Sequence, residues 1–180
     1  GKQSGWTNDI DLIGVDGTIG FILTHPGLGS SVGTSLAVGD VNGDGYGDIV
    51  VGAFKADPGA INDAGEAYVI FGKASGWATS IAMDTLDGTN GFIIPGLATS
   101  NRLGVASSIA DVNGDGYDDV IVGALESAGM VYVIFGKSTS WASSFDLTTL
   151  DGTNGFMLDG TSTGDNAGTA VVAANINGDA

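Results

Sequence analysis

A short acidic segment is written into this chain two and a half times, and that repetition constrains the fold more than any other feature. Asp40-Val-Asn-Gly-Asp-Gly-Tyr46 recurs letter for letter at 111–117, and Asn175-Ile-Asn-Gly-Asp179 opens a third copy. Other segments keep the same rhythm. GKQSGW at 1–6 returns as GKASGW at 72–77 and GKSTSW at 136–141, and DGTIGF at 16–21 returns as DGTNGF at 87–92 and 151–156. The offsets are 71 and then 64 residues. The chain therefore reads as repeat units 1–71 and 72–135 and a partial third unit at 136–180. A fixed period of this size marks a structure whose neighbouring units stack to bury a shared core. The difference between the two periods sits in one loop, where 14 residues separate Ala53 from Tyr68 but only 7 separate Ala124 from Tyr132.

Within each unit the apolar runs are short, β-branched and bounded by Gly, Asn and Asp, which predicts four or five strands and an all-β fold. IDLIG, IAMDTL and FDLTTL each precede a Gly-containing turn followed by GFILT, GFII and GFML, and this predicts a hairpin. SLAVG and SSIAD lead into the acidic loop, DIVVGA and DVIVGA leave it, and AYVIFG or VYVIFG closes the unit. No 11-residue window has helical periodicity.

Composition narrows the function classes. Of 180 residues, 32 are Gly, and 21 acidic side chains face 5 basic ones. All the acids but Glu66 and Glu126 are Asp, a turn former rather than a helix former. The formal net charge of −16 argues against nucleic acid and anionic membranes and for a cation partner. A hydrophobic content of 43% is enough for a packed core. No apolar run is long enough for a membrane-spanning helix. The absence of Cys excludes disulfides and thiol chemistry.

The acidic loops have the pattern of a calcium site. Asp40, Asn42, Asp44 and Asp48 stand at positions 1, 3, 5 and 9, with Tyr46 at position 7 as a carbonyl donor. Asp111, Asn113, Asp115, Tyr117 and Asp119 repeat the set. Gly45 and Gly116, at position 6, allow the sharp turn such a loop needs. Three carboxylates in nine residues repel one another unless a hard cation with several oxygen ligands joins them, and calcium suits this better than the smaller magnesium shell. No His or Cys stands near for zinc. An EF-hand would require Glu at position 12 and flanking helices, but position 12 is Val51 or Val122 inside a strand run. A dockerin-type loop, which also sits on helices, fails likewise. The expectation is a calcium loop at a β-hairpin tip, against the bland alternative of a metal-free Asp/Asn/Gly turn. In the third copy Asn175 replaces Asp, Asn177 and Asp179 follow and position 9 is missing, so this site should bind more weakly.

DVNGDGYGD or DVNGDGYDD, followed by IVVGA or VIVGA and then by YVIFG, resembles the FG-GAP repeat family, the blades of integrin α-chain propellers and of many bacterial surface proteins. The resemblance implies a four-stranded blade and calcium held by the side chains at positions 1, 3, 5 and 9 and the carbonyl at 7. The family's FG is Val32-Gly33, Leu103-Gly104 and Ala167-Gly168 here, and its GAP is Gly52-Ala53-Phe54 and Gly123-Ala124-Leu125.

Other residues have quieter readings. Trp6, Trp77 and Trp141 stand at the same place in every unit, which favours packing between units over carbohydrate stacking. Asp16, Asp87 and Asp151 start the DGT turns and are read as caps of those turns rather than a second cation site. His25 has no counterpart in later units and no evident base or nucleophile beside it. Lys2, Lys73 and Lys137 read as solvated edge charges. The longer loop at 54–67 is the best candidate for a variable binding loop, although a neutral insertion is the simpler reading.

These observations point to a non-catalytic, calcium-stabilised extracellular structural or adhesive repeat. Its partners would be calcium, neighbouring units of the same or identical chains, and a cell-surface or matrix ligand, with no nucleic acid and no membrane insertion. Extracellular-type sites need calcium at about 10⁻⁴–10⁻³ M, far above cytosolic levels, which places the chain outside the cell or on its surface. The lack of Cys leans towards a prokaryote. Both ends suggest a piece of a larger array, either a closed propeller of 4–8 blades or an open stack or filament. The alternatives are an integrin-like ligand-binding head and a propeller accessory to a secreted hydrolase. Independent loops would lose calcium one at a time when mutated.

Overall fold

A computed structural model describes residues 14–125 and 127–174. Two four-stranded antiparallel sheets carry the chain, and no α-helix occurs among the described residues. The first sheet holds β2 (Val32–Gly39), β3 (Asp48–Ala53), β4 (Glu66–Ile70) and β6 (Gly91–Pro95), in that order. The second holds β7 (Ala106–Ala110), β8 (Asp119–Ala124), β9 (Met130–Ile134) and β10 (Gly155–Asp159), in the same arrangement. Three strands of each sheet come from one period of the sequence and the fourth from the next. Pairing of Glu66 with Pro95 and of Ile70 with Gly91 joins β6 to β4, and Gly155 opposite Ile134 does the same for β10.

This exchange corrects one expectation. The runs before and after the second and third DGT turns do not form hairpins; the run before the first lies mostly outside the described residues. β5 (Ser80–Ala82) pairs in parallel with β1 (Ile22–Thr24) of the preceding period, while β6 goes to β4. The reason is local. A 3-10 turn at Met83–Thr85 redirects the chain between them, anchored by the fully buried Met83. Leu147–Thr149 turns in the same way with Leu147 buried.

The central strands are apolar on both faces because both faces are covered. Val50, Val69, Phe92 and Ile94 of the first sheet pack against Val120, Val122, Tyr132 and Ile134 of the second in one buried cluster. Val51, Tyr68 and Ile70 point the other way, onto Met83 and Leu86. Close approach of the sheets depends on glycine. A Cβ on Gly52 would stand 1.9 Å from the Gly104 carbonyl oxygen, and one on Gly123 would stand 1.9 Å from that of Gly168. Gly104 and Gly168 themselves have φ of 85° and 82°, a region that a Cβ disfavours. The Gly of the FG pair in one period thus sits on the Gly of the GAP segment in the period before it.

Candidate metal centre

Each acidic loop forms the tip of the hairpin that joins the first two strands of a sheet, β2 to β3 and β7 to β8. The loops are built by carboxylates gathering backbone N–H groups. In the first, the Asp40 carboxylate accepts from Asp44 N at 3.0 Å and Gly45 N at 2.9 Å. Asn42 Oδ1 accepts from Asp44 N at 2.9 Å, and Asp44 Oδ1 from Tyr46 N at 2.8 Å. Asn42 Nδ2 donates to the other Asp44 oxygen at 3.0 Å. The second loop repeats this with Asp111 accepting from Asp115 N at 3.2 Å and Gly116 N at 2.9 Å, Asn113 from Asp115 N at 2.8 Å, and Asp115 from Tyr117 N at 2.9 Å. Gly45 and Gly116 have φ of 86° and 88°, as position 6 requires. The residues expected at positions 1, 3, 5 and 7 of these two sites lie on the hairpin tips, and position 9 opens the following strand. Asn175, Asn177 and Asp179 of the third copy lie outside the described residues.

Position 9 is different from the rest. Asp48 and Asp119 are fully buried at the start of β3 and β8. Asp48 Oδ2 accepts from Val41 N at 2.9 Å, and Oδ1 from Gly72 N at 2.7 Å, just past the end of β4. Asp119 does the same with Val112 N and Gly136 N, both at 2.9 Å. Each therefore ties a loop to the chain just past the end of the third strand. Burial pushes Asp48 up to about 6, and the nearby Asp44 carboxylate adds to the rise, although the N–H bonds oppose it. Burial likewise raises Asp119, with Asp115 and Asp111 adding to it and its N–H bonds opposing it.

Among the described residues no group of three or more His, Cys, Asp or Glu side chains is placed to hold a metal ion by itself. A cage in these loops has to include oxygen donors other than carboxylates. The loops offer them in the Asn42 and Asn113 side chains and in backbone carbonyls. A carboxylate oxygen that accepts one N–H keeps acceptor capacity. The donor set is all oxygen, which suits calcium or magnesium and not a soft metal.

The remaining candidates resolve plainly. Trp77 stacks on Phe21 and Trp141 on Phe92, each on the preceding period, so both serve inter-unit packing; Trp6 lies outside the described residues. Lys73 and Lys137 are more than solvated charges, with Nζ 5.0 Å and 4.6 Å from the ring centres of Trp77 and Trp141; Lys2 lies outside the described residues. Asp16, Asp87 and Asp151 each accept from the N–H and hydroxyl of the Thr two residues on, which caps the turn. These bonds, the hydroxyl first, hold all three carboxyls below their ordinary value.

His25 was missed by sequence reasoning, which found no partner for it. Nε2 lies 3.5 Å from Glu66 Oε2, whose carboxylate also accepts the Tyr68 hydroxyl. Nδ1 accepts from Gly27 N at 3.0 Å and meets Ser30 Oγ at 3.0 Å. Its cleft, of about 330 Å³, also includes Lys55, Asp57 and Asp84. The signal was present in the repeat itself. Gly96 and Met130 occupy the places of His25 and Glu66 in the second period, so both departures fall on one spot. The longer loop beside it is partly core, with Ala56 and Ala64 buried. It also braces the next period through Arg102 N to Asp63 O at 3.1 Å and Leu103 N to Ala64 O at 2.9 Å.

Comparison with known proteins agrees with this geometry. The FG-GAP repeat family matches residues 32–70 and 103–134. Phosphatidylinositol-glycan-specific phospholipase D of Bos taurus is 35% identical over 156 residues, covering 82% of this chain and 17% of its own length. Integrin alpha-PS2 of Drosophila melanogaster is 33% identical over 130 residues, covering 65% of this chain and 8% of its own. Integrin alpha-6 of Gallus gallus is 37% identical over 112 residues, covering 62% and 10%. The chain thus spans less than a fifth of each of these relatives. All three are animal proteins, and the leaning towards a prokaryotic source gains nothing from them. No helix among the described residues is long and apolar enough to cross a membrane.

Proposed function

We propose, from the premise that this chain carries FG-GAP repeats and that its two sheets are blades of the β-propeller type, that it is a calcium-stabilised structural or adhesive region of a larger extracellular or cell-surface protein. The observation that carries the reading is the pair of matching hairpin tips, each gathering Asp, Asn and Asp oxygens around a Gly-dependent turn and backed by a buried Asp. Asp40, Asn42, Asp44, Asp48 and the Tyr46 carbonyl would hold one ion. Asp111, Asn113, Asp115, Asp119 and the Tyr117 carbonyl would hold the other. Calcium would supply the positive charge that buried Asp48 and Asp119 lack. Asn175, Asn177 and Asp179 would make a third, weaker site. The chain performs no catalytic step in this reading.

Neighbouring units are the first partners. Phe156 occupies the place of Phe92, with Phe135 against it as Phe71 is against Phe92. Phe92 is fully buried under Trp141, whereas Phe156 is 37% exposed. A following unit's Trp would cover it, in a closed propeller or in an open array. The test is isothermal calorimetry with calcium on the intact chain. Two equivalents of binding, reduced to one by Asp44→Ala, support the reading, and no heat of binding refutes it.

A second reading, an integrin-like ligand-binding head, is favoured by the cleft at His25, where Glu66, Lys55, Asp57 and Asp84 gather. Binding of a matrix ligand that is lost in His25→Ala and kept in Asp44→Ala would select it. The phospholipase D relatives suggest a third setting, a propeller attached to a secreted hydrolase.

A further inference from the structure

Asp118 belongs to the second acidic loop but reaches the first. Its Oδ2 accepts the backbone N–H of Asp40 at 2.7 Å, and its own N–H donates to the Asp40 carbonyl at 3.1 Å. Two further contacts join the same pieces. Lys137 N, just past the end of β9, donates to the Val41 carbonyl at 3.0 Å. The Tyr117 ring lies against Gly43, where a Cβ would stand 2.4 Å from it. Positions 1, 2 and 4 of the first loop are thus held by the second loop and the strand end behind it.

The sequence makes this support one-sided. Position 8 is Asp118 in the second loop and Gly47 in the first, so the first loop has no side chain there to offer a neighbour. Asp118 is outside the expected ligand positions, and its carboxylate is directed to the backbone that carries the first ligand. Groups that orient metal ligands from behind matter for affinity almost as much as the ligands themselves.

We propose that Asp118 is a positioning residue that couples the two loops, so that cation binding in the second loop strengthens binding in the first. The inference rests on the reading that both loops hold calcium. An ion in the second loop fixes the segment 117–119, the Asp118 carboxylate with it, and through that the backbone of Asp40. Coupling of this kind is reciprocal, so each ion raises the affinity for the other by the same factor.

Calcium titration of the full chain followed by NMR tests it, with the Gly45 and Gly116 amides as separate reporters. Each donates to the first Asp of its own loop. Asp118→Ala should weaken the Gly45 transition by about 10–100-fold, and the Gly116 transition by no more than the coupling lost with it. Asp118→Asn, which loses the charge but keeps an oxygen acceptor, should recover most of the loss. Asp115→Ala, which disables the second site, should also weaken the Gly45 transition. A loss at Gly45 as large in Asp118→Asn as in Asp118→Ala would reduce Asp118 to a surface charge and overturn the proposal. An unchanged Gly45 midpoint in Asp115→Ala would overturn it as well, and decides the matter alone if Asp118→Ala does not fold. A wild-type chain in which neither amide responds to calcium would refute the calcium reading itself. Two responsive but independent loops would refute only the coupling.

Discussion

Trp141 lies flat on Phe92, with ring centroids 4.3 Å apart and planes 5° from parallel. Trp77 stands in the same relation to Phe21 of the preceding period, at 4.5 Å and 12°. The stack is the point where one period grips the next, and Lys137 caps it from the far side. Truncating a large buried aromatic costs about 3–5 kcal/mol. Trp141→Ala should therefore lower stability by about that much in urea unfolding. Trp77→Ala should cost less, because Trp77 is only half-buried. Equal, small effects would mean that the stacks are ornaments on sheets that hold without them.

The Gly52 and Gly104 backbones touch with no room for a side chain. Gly52→Ala forces a Cβ against a carbonyl that no rotamer change can move, so the two sheets must separate. The expected loss is about 3 kcal/mol or more, read as a lowered unfolding midpoint or as failure to recover soluble chain. Gly59→Ala is the control, since nothing lies within 4 Å of that site and only its φ of 58° is unfavourable. The two variants behaving alike would contradict the close approach.

Asp48 has a structural task separable from any ion. It pairs two N–H groups, one from its own loop and one from the chain just past β4, and an unpaired buried donor costs about 1–3 kcal/mol. Asp48→Ala should therefore destabilise the chain even in excess chelator, measured by thermal unfolding. Asp44→Ala, on an exposed loop tip, should matter little under the same conditions. If chelator erases the difference between them, Asp48 acts only through the metal.

The turn carboxyls set a modest acid dependence. In the fold, Thr89 and Thr153 hold Asp87 and Asp151 below the ordinary 3.8. A carboxyl lowered by folding adds stability above its unfolded value, and that contribution is lost as pH falls through the folded value. Asp87→Asn keeps a side-chain acceptor but cannot titrate. Its melting temperature should fall less steeply than that of the wild type as pH drops below 3.8. Parallel acid limbs would show that the turn is indifferent to this charge.

What could be read from the sequence was local. The acidic loops were legible because nine consecutive residues contain the Asp and Asn side chains, the Gly turn and the first strand residue. The all-β class followed from runs such as DIVVGA and VYVIFG, and the Trp packing from its repetition. The strand exchange was not legible. Whether GFII pairs with IAM or with YVI depends on which sheet edge is free, and the buried Met83 that redirects the chain looks like any apolar residue. The second bond of Asp48, to Gly72, spans 24 positions and leaves no local trace. Glu66, the charged partner of His25, lies 41 positions away on β4, so only the coincidence of two breaks in the repeat could have hinted at the pair.

Thermal unfolding of the intact chain by calorimetry, with calcium and then with EGTA, tests the central claim most directly. A cation bound only by the folded state raises stability by mass action, about 2.7 kcal/mol at a concentration 100 times its dissociation constant. Removal of calcium should lower the midpoint by several degrees, and added calcium but not magnesium at the same concentration should restore it. An identical melt in calcium and in EGTA would contradict the account.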